Sequence, residues 1–317
     1  MQSFGRPVIA EDLPGRSAPE LASPEAIRPA GNATEHRLSF VSAIDRNYVI
    51  PWSAMIASFR DQNPLLAAHA FIIHYDLTPD DLAYLERVCR SVAVPLNIIR
   101  IPFYPFALFS TRRRTNLQTR RNMSPIAYAK AFIDRFLPVD LKRAVLIDAD
   151  IIIAGDMSEL LNMRPEHPLA AVTNIPRNHH HQFNSGFVFA DVERWREMRI
   201  SEIAERFLFA YSDSLHSHDQ QTLNLIFGDR WSKLPLKWNY IEDYHRFRER
   251  STAYSPDEIA RTRNQPIIIH YAVGSDKPWL PKSEHPRASL YREYTRKLTP
   301  MLDGLSLSDP ANGKITK

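Results

Sequence analysis

The chain has 317 residues, of which 44% are apolar, so it can form one large α/β domain with appended segments, and disorder of the whole chain is excluded. Lysine and arginine outnumber aspartate and glutamate by 40 to 36, which is compatible with anionic ligands such as diphosphates but too weak to predict nucleic-acid binding. The single cysteine, Cys89, excludes an intramolecular disulfide, and we expect it to be a small buried hydrophobe.

The ends of the chain differ in composition from its middle. Residues 1–35 are rich in Pro, Ala, Ser and Glu without periodicity, which predicts a disordered tail. We expect an α/β domain over residues 36–282 and a basic amphipathic extension over 283–317. No apolar stretch has the length of a signal peptide or a membrane span, which predicts a cytoplasmic protein, at most peripheral to the inner face of the membrane.

Hydrophobic patterning predicts strands that alternate with helices. Thr78, Pro79 and Asp81 form a capping-box-like start for the second helix. In chain order, the predicted elements are a strand Arg37–Ile44, a helix Ile50–Arg60, a strand Ala70–His74, a helix from Thr78 to about Arg90, a strand Leu96–Ile101, a helix Ser124–Phe136, and strands Arg143–Ile147, Leu169–Thr173, Gly186–Val192 and Pro266–Tyr271.

This alternation predicts a doubly wound, mainly parallel sheet with helices on both faces. Such sheets bind ligands beyond the carboxyl ends of their strands. Asp45 follows the first predicted strand, and Asp148 and Asp150 follow the fourth. We therefore expect these three carboxylates near a ligand site.

Asp148-Ala149-Asp150 is the first candidate for chemistry. Two carboxylates after a buried strand are costly to desolvate unless a cation compensates them, and their oxygens suit Mn²⁺ or Mg²⁺. The alternative is an exposed, solvated turn. His270 ends another apolar strand and can supply a nitrogen ligand, while Lys277 can neutralise a phosphate. The alternative for His270 alone is a structural role.

Two polar pairs are further candidates. Asn184 and Ser185 open an apolar strand and suit hydroxyl recognition, although a turn before a buried strand is an equal alternative. Asp219 and Gln220 alternate acceptor and donor groups, which also suits a sugar. Asp219 can instead simply cap a helix.

Together these motifs resemble glycosyltransferase family 8, which contains bacterial lipopolysaccharide glucosyl- and galactosyltransferases and glycogenin. The resemblance covers about Arg37 to Trp279 in the right order. Its motifs are Ala43-Ile-Asp45-Arg-Asn47-Tyr48, Tyr128-Ala-Lys130, Asp148-Ala-Asp150, Phe183-Asn-Ser-Gly186, Asp219-Gln220 with Asn224, Trp238-Asn239, and His270-Tyr271 with Gly274 and Lys277-Pro-Trp279.

The resemblance implies a GT-A fold (a Rossmann-like α/β fold) and retention of anomeric configuration. Asp148, Asp150 and His270 match the metal ligands of the family. The matched donor-binding positions are Ala43, Asp45, Asn47, Tyr48, Lys130, Asp148, Ala149, Asn184, Ser185, Asp219, Gln220, Gly274 and Lys277. Those expected to take part in catalysis are Gln220, Asp219, Lys277 and Lys130.

Within these positions, Asp45 matches the residue that reads the uracil edge and Tyr48 the one that stacks on its ring. Lys130 departs from the family, which usually has arginine there; lysine keeps the charge and loses the bidentate fork. Gln221 departs too, because the family often has a second Asp after Asp-Gln. An amide is a poor nucleophile, so we expect front-face departure and attack rather than a covalent intermediate at that position.

Three further features carry open alternatives. The runs Arg112–Arg114 and Arg120–Arg121 are either a solvated surface or a flap over an anionic ligand. His179–His181 is a better candidate for lining an acceptor loop than for a metal site, because consecutive residues point in different directions. The basic, amphipathic stretch from about Pro286 to Leu302 either lies on an anionic membrane or packs on the domain.

The resemblance therefore predicts a metal-dependent, retaining hexosyltransferase. We expect UDP-glucose or UDP-galactose as donor, a saccharide or glycolipid acceptor such as lipopolysaccharide, and Mn²⁺, or alternatively Mg²⁺, as the metal. A nucleotidyltransferase is one alternative, although the chain has only 9 glycines and no Gly-rich phosphate loop. A catalytically silent sugar-nucleotide-binding protein is the other, and the complete set of matched polar residues counts against it.

Overall fold

The computed structural model describes residues 37–103, 106, 109, 124–174, 182–212, 215, 218–246, 251 and 253–308. The expected N-terminal tail, the two arginine runs and the histidine run 179–181 lie outside these residues.

A seven-stranded sheet forms the centre of the molecule. Its order is β3-β2-β1-β4-β7-β6-β8, with β7 antiparallel to both of its neighbours and β1 to β4 mutually parallel. A separate antiparallel pair joins β5 to β9. The predicted α/β class and mainly parallel sheet are confirmed. The strands are β1 Leu38–Ala43, β2 Ala68–His74, β3 Leu96–Arg100, β4 Arg143–Ile147, β5 Ile151–Ile153, β6 Leu169–Thr173, β7 Phe183–Asp191, β8 Ser232–Lys233 and β9 Ile268–His270.

Helices cover both faces of the sheet, and an apolar core lies on each face. The α-helices of the described chain are α1 Val49–Gln62, α2 Pro79–Ser91, α3 Ile133–Phe136, α4 Val192–Glu197, α5 Ile200–Tyr211, α6 His218–Phe227, α7 Asp243–Arg246, α8 Pro256–Asn264 and α9 Ala288–Leu298. Among the described residues, 3-10 helices span Arg46–Tyr48, Pro125–Phe132, Ser158–Asn162, Leu236–Trp238 and Thr299–Leu302.

Local sequence signals explain several of these elements. Every residue of β2 is buried, so this strand carries an apolar run rather than an alternating pattern. The capping box of α2 is confirmed: Thr78 Oγ1 accepts from Asp81 N at 3.3 Å, and Asp81 Oδ2 accepts from Thr78 N at 2.8 Å. Cys89 is buried, as expected, and burial raises the pKa of its thiol to about 12.

The helix predicted over Ser124–Phe136 is wrong in its first part, because Pro125–Phe132 forms a 3-10 helix and only Ile133–Phe136 is α-helical. Residues 128–133 are all buried, so this segment has no solvent-facing stripe of the kind that an amphipathic helix shows. Packing against the sheet and α6 therefore overrides local propensity. Lys130 belongs to this 3-10 helix and contacts Asp148, which directly follows β4.

Helix α9 packs on the domain through Tyr291 and Tyr294, which join a core cluster with Ile152 of β5 and Tyr271. Beyond α9 the chain follows α2, where Arg87 Nη1 donates to the carbonyl oxygen of Asp303 at 2.7 Å. The apolar side of α9 is thus turned into the protein. Within the described ranges, no helix is both long and apolar enough to cross a bilayer.

Candidate active site

Three potential metal ligands converge where β4 and β9 end. The amide of Asp148 donates to the carbonyl oxygen of Gly186 at 2.9 Å, and the amide of Tyr271 donates to that of Asp150 at 2.9 Å. These bonds fix the turn after β4 between β7 and β9. As a result, the ligand atoms of Asp148, Asp150 and His270 lie within 4.8 Å of one another.

Each carboxylate of this cluster divides its oxygens between a lysine and the imidazole. Lys130 Nζ lies 2.5 Å from Asp148 Oδ1, and Lys277 Nζ contacts Asp150 Oδ2. The other oxygens, Asp148 Oδ2 and Asp150 Oδ1, lie 3.7 Å and 3.4 Å from His270 Nε2. Two carboxylate oxygens and one imidazole nitrogen therefore face a common point. This donor set fits a divalent ion such as Mn²⁺ or Mg²⁺.

Gly186 makes room for the imidazole of His270. A Cβ atom at position 186 would lie 2.1 Å from His270 Cε1 and 2.6 Å from Nδ1, well inside van der Waals contact. The backbone of β7 and the imidazole ring therefore approach one another as closely as only glycine permits. The sequence motif contained Gly186, but sequence reasoning assigned it no role.

The pKa values of Asp148 and Asp150 shift in opposite directions, although only one residue separates the two in the chain. Burial raises the pKa of Asp148, and the charge of Asp150 adds to this effect against the opposing charge of Lys130. Burial also disfavours ionised Asp150, but the charge of Lys277 opposes it, and the pKa of Asp150 lies below its ordinary value. Burial alone would lower the pKa of Lys130, yet the charges of Asp148 and Asp219 raise it above its ordinary value, which favours the charged form of this lysine.

Lys130 also links the carboxylate turn to helix α6. Its Nζ lies 2.9 Å from Asp219 Oδ2, and the same oxygen accepts from Ser185 Oγ at 3.0 Å. Asp219 is in the first turn of α6, but its side chain is held by Lys130 and Ser185. A helix-capping role alone therefore does not explain the contacts of the Asp219 side chain.

Gln220 follows Asp219 on α6, and its Oε1 accepts from Asn184 Nδ2 at 3.1 Å and from the amide of Ser185 at 3.4 Å. One turn further along α6, Asn224 exchanges hydrogen bonds of 2.9 Å with both the amide and the carbonyl of Phe183. These contacts fix α6 on β7. Asn184 and Ser185 belong to the strand itself, so the alternative of a turn at this position is wrong.

The carboxyl end of β1 forms a second polar region. Asp45 caps the 3-10 helix Arg46–Tyr48, and its Oδ1 accepts from the amide of Asn47 at 3.0 Å. Burial raises the pKa of Asp45 despite hydrogen bonds from Asn47 and Ser124. The ring of Tyr48 lies edge-to-face on Trp279 with centroids 5.9 Å apart, which connects this region to the loop of Lys277.

Sequence reasoning missed Asp76, which follows β2 as Asp45 follows β1. Burial and the nearby charge of Asp45 raise the pKa of Asp76 to about 6. Beside them, Tyr75 Oη lies 2.7 Å from Ser124 Oγ. The sequence contained a signal for Asp76, because this carboxylate follows the end of β2, the strand next to β1.

The predicted site residues fall into three groups. Direct contacts join Lys130, Asp148, Asp150, Asn184, Ser185, Asp219, Gln220, His270 and Lys277. Asp45, Asn47 and Tyr48 lie at the end of the neighbouring strand β1, where Ala43 is the last strand residue. Ala149 is buried between the two aspartates, and Gly274 is exposed in the loop between His270 and Lys277.

Comparison with known proteins places this chain in a family. The family model described as glycosyl transferase family 8 matches residues 39–283. General stress protein A of Bacillus subtilis is 27% identical over 278 residues, covering 81% of this chain and 92% of that protein. Lipopolysaccharide 1,2-glucosyltransferase of Escherichia coli K12 is 23% identical over 273 residues, covering 82% and 78%. Glycosyltransferase GlyF of Streptococcus pneumoniae is longer: its 27% identity spans 77% of this chain and 57% of GlyF.

Solved structures share the fold. Galactosyltransferase LgtC, solved with donor and acceptor sugar analogues, superposes with a TM-score of 0.70 at 19% identity, covering 83% of this chain and 96% of that one. Glycosyltransferase GlyE of Streptococcus pneumoniae gives 0.59 at 19% identity, covering 84% and 62%. The family match spans most of the chain and includes every predicted site residue. The protein therefore belongs to glycosyltransferase family 8 and is a glycosyltransferase of GT-A fold.

Proposed function

We propose that this glycosyltransferase is a retaining hexosyltransferase that moves glucose or galactose from a UDP-sugar to a saccharide or glycolipid, with Mn²⁺ or, less favoured, Mg²⁺ as its metal. The observation that carries the proposal is the junction of Asp148, Asp150 and His270 with Lys130 and Lys277. The three carboxylates of Asp148, Asp150 and Asp219 and the two lysines, with a neutral imidazole, carry one net negative charge. A bound divalent ion reverses that sign, which suits a diphosphate.

The nucleotide half of the donor would lie at the carboxyl ends of β1 and β4. In this arrangement Asp45 reads the uracil edge, Tyr48 stacks on its ring, and Asn47 contacts the ribose or phosphates. Ala43, Ala149 and Gly274 offer backbone groups with small or no side chains, so the ligand can approach closely. The edge-to-face contact of Tyr48 with Trp279 supports this placement, because it ties the base region to the loop of Lys277.

The sugar half would lie over β7 and α6, against Asn184, Ser185, Asp219 and Gln220. These four side chains present carboxylate, amide and hydroxyl groups that suit sugar hydroxyls. Their mutual hydrogen bonds hold them rigidly, which supports a role in orienting the donor.

Departure of UDP is the step in which these groups would act. The metal, when bound, supplies Lewis-acid charge to the diphosphate. Lys277 supplies a second positive charge: its Nζ donates to Tyr271 O at 2.6 Å and to Asp150, and an ammonium has a third donor for a phosphate oxygen. Lys130 holds Asp148 and Asp219 in position for the same step.

Front-face attack is favoured over a covalent intermediate. Asp219 Oδ2 is engaged by Lys130 and Ser185, and position 221 is an amide. Gln221 therefore offers no carboxylate for attack on the anomeric carbon, and the carboxylate of Asp219 is already engaged through one of its oxygens. Trapping of a sugar ester on any side chain of the wild-type enzyme would contradict this part of the proposal.

The activities for which two similar proteins are named support the proposed substrate classes. Lipopolysaccharide 1,2-glucosyltransferase points to glucose and a lipid-linked saccharide, and LgtC points to galactose.

We propose residues 36–282 as the catalytic domain and 283–317 as its extension. Because the apolar side of α9 packs on the domain, a membrane contact there would use the exposed Arg292, Arg296 and Lys297. Reversing these three charges should then abolish binding to anionic vesicles, and unchanged binding would remove this role.

The test is product analysis of the purified protein with UDP-glucose, UDP-galactose and other nucleotide-sugars, with Mn²⁺, with Mg²⁺ and with chelator. We expect slow, metal-dependent release of UDP from one hexose donor. Release of the sugar 1-phosphate, by attack on the α-phosphate of the donor, would instead identify a nucleotidyltransferase. Metal-dependent UDP binding without turnover, with or without saccharide acceptors, would identify a silent binding protein.

A further inference from the structure

Three side-chain amides connect His270 to helix α6. His270 Nδ1 lies 2.9 Å from Asn239 Oδ1, and Asn239 Nδ2 donates to Asn184 Oδ1 at 2.7 Å. Asn184 Nδ2 then donates to Gln220 Oε1 at 3.1 Å. Asn239 is completely buried, so its amide has no access to water to compensate a wrong orientation.

A backbone group fixes the direction of this chain of hydrogen bonds. The amide N–H of Gly186 donates to Asn184 Oδ1 at 2.9 Å. Since a backbone N–H can only donate, the atom that it meets must be an oxygen, which orients the amide of Asn184. The atom of Asn239 that faces this oxygen must then be its NH₂ group. The oxygen of Asn239 is left for His270.

The tautomer of His270 follows from this order. Because an amide oxygen faces Nδ1, this nitrogen must carry a proton, and in the neutral imidazole Nε2 then presents its lone pair. Nε2 is the atom that lies 3.4 Å from Asp150 Oδ1 and 3.7 Å from Asp148 Oδ2. The lone pair therefore points to the place where the carboxylate oxygens converge. This is the tautomer that can bind a metal.

The other end of the chain orients Gln220. Its Oε1 accepts from Asn184 Nδ2 and from the amide of Ser185, so the oxygen is turned toward β7. Gln220 must then present its NH₂ group to the cleft. One backbone amide, that of Gly186, thus sets both the imidazole of the metal cluster and the amide beside the expected sugar.

We infer that Asn239 and Asn184 are positioning residues: Asn239 holds His270 in the Nδ1–H tautomer, and Asn184 turns the NH₂ group of Gln220 toward the donor sugar. The inference deepens the proposed function and rests on it for the identity of the ligands. The tautomer itself is a property of the free protein, so its test does not depend on turnover.

The first test is ¹⁵N NMR of the wild-type protein labelled at histidine, with the signals of His270 assigned by their loss in His270→Asn. At a pH at which the ring is neutral, we expect the proton on Nδ1 and an unprotonated Nε2. A neutral ring with its proton on Nε2 would overturn the inference even if the enzyme releases UDP. Conversely, a protein that turns over no UDP-sugar but shows the Nδ1–H tautomer would contradict the proposed function alone.

The second test is Mn²⁺ titration in the presence of UDP, followed by electron paramagnetic resonance. Asn239→Leu should lower Mn²⁺ affinity about 10- to 100-fold, the range found when partners of metal-binding histidines are removed. Asn97→Leu is a matched control, since it breaks the His69–Asn97 pair of 2.5 Å, which joins β2 to β3. We expect the control to match wild type. Equal affinity of Asn239→Leu and wild type, with thermal unfolding showing both folded, would overturn the role of Asn239.

The third test separates the two ends of the chain. Asn184→Asp keeps an oxygen for Gly186 and Asn239 but sets a second oxygen against Gln220 Oε1, so Gln220 must turn. We expect kcat to fall at least about tenfold while Mn²⁺ affinity is kept or increased, since added negative charge attracts the cation. Unchanged kcat, or a loss of Mn²⁺ affinity as large as in Asn239→Leu, would contradict the role assigned to Asn184.

Discussion

The two sides of the carboxylate turn differ in how their lysines are held. On one side, Lys277 pairs with one carboxylate, that of Asp150, and also donates to the carbonyl oxygen of Tyr271. On the other, Lys130 is shared between Asp148 and Asp219 and also donates to Ser185 O. Asp150 therefore presents one oxygen to the point shared with His270 and Asp148, and within the described residues it is the only carboxylate paired with Lys277. Lys130 has a second carboxylate partner, Asp219, besides Asp148. We therefore expect the loss of Asp150 to destabilise the protein more than the loss of Asp148.

The largest expected effect tests this inequality through stability in metal-free buffer. Asp150→Ala leaves Lys277 buried without its carboxylate, which should lower the free energy of unfolding by about 3–5 kcal/mol. Asp148→Ala leaves Lys130 paired with Asp219, so we expect a loss of only about 1–3 kcal/mol. Urea unfolding followed by circular dichroism measures both. Equal losses would show that the second carboxylate gives Lys130 no protection.

A second prediction separates metal affinity from turnover. Lys130→Met removes a positive charge beside Asp148 and Asp219, so Mn²⁺ affinity should rise, because the site becomes more negative. UDP release should fall roughly 100-fold in kcat/KM, about 2.7 kcal/mol of transition-state stabilisation. Lys130→Arg keeps the charge and is the matched control, for which we expect Mn²⁺ affinity close to wild type. A parallel fall of affinity and turnover in Lys130→Met would contradict the account.

The third prediction concerns the imidazole that faces both carboxylates. Gly186→Ala places a methyl group where His270 Cε1 lies, so the ring must move away from Asp148 and Asp150. Mn²⁺ affinity should fall about 10- to 100-fold. Gly155→Ala is a milder control, because its nearest contacts are 3.3 Å away on Ile267, at the far end of β9 from His270. If Gly186→Ala binds Mn²⁺ as tightly as this control, the close packing against His270 has no role in metal binding.

The smallest expected effect concerns Asp76, whose carboxylate lies near that of Asp45. The pKa of Asp76 is raised from 3.8 to about 6, so the native state binds its proton more tightly than the unfolded state. Stability is therefore lost as pH rises from about 4 to 6. Asp76→Asn should raise the free energy of unfolding above pH 6 by roughly 1 kcal/mol, allowing for partial exposure, and give no gain at pH 4. Thermal unfolding between pH 4 and 8 tests this, and a gain independent of pH would contradict it.

Sequence patterns predicted the parts of this site that depend on strand ends. Asp45, Asp148 and Asp150 follow apolar runs, and the parallel sheet brings the ends of such runs to one edge. His270 ends the apolar strand β9, and the antiparallel pair with β5 places it beside Asp150. The capping box of α2 was equally readable because its residues are neighbours in the chain.

The parts that the sequence did not predict depend on tertiary contacts. Three isoleucines, Ile151–Ile153, are too short a run to show periodicity, and only their pairing with β9 makes them a strand. The 3-10 winding before Phe132 follows from burial on all sides. Asn239 lay in a recognised motif, but its role appears only once β9 and β7 place it between His270 and Asn184.

The most direct test of the central claim is whether one divalent ion binds at the carboxylate turn together with UDP. Mn²⁺ titration of the wild-type protein with UDP, followed by electron paramagnetic resonance, should show one tightly bound ion per chain. Asp148→Asn keeps the Lys130–Asp219 pair, which is expected to maintain the fold, and should lose that ion. Tight binding that is the same in wild type and Asp148→Asn, or the absence of binding in wild type, would contradict a metal-dependent transferase at this site.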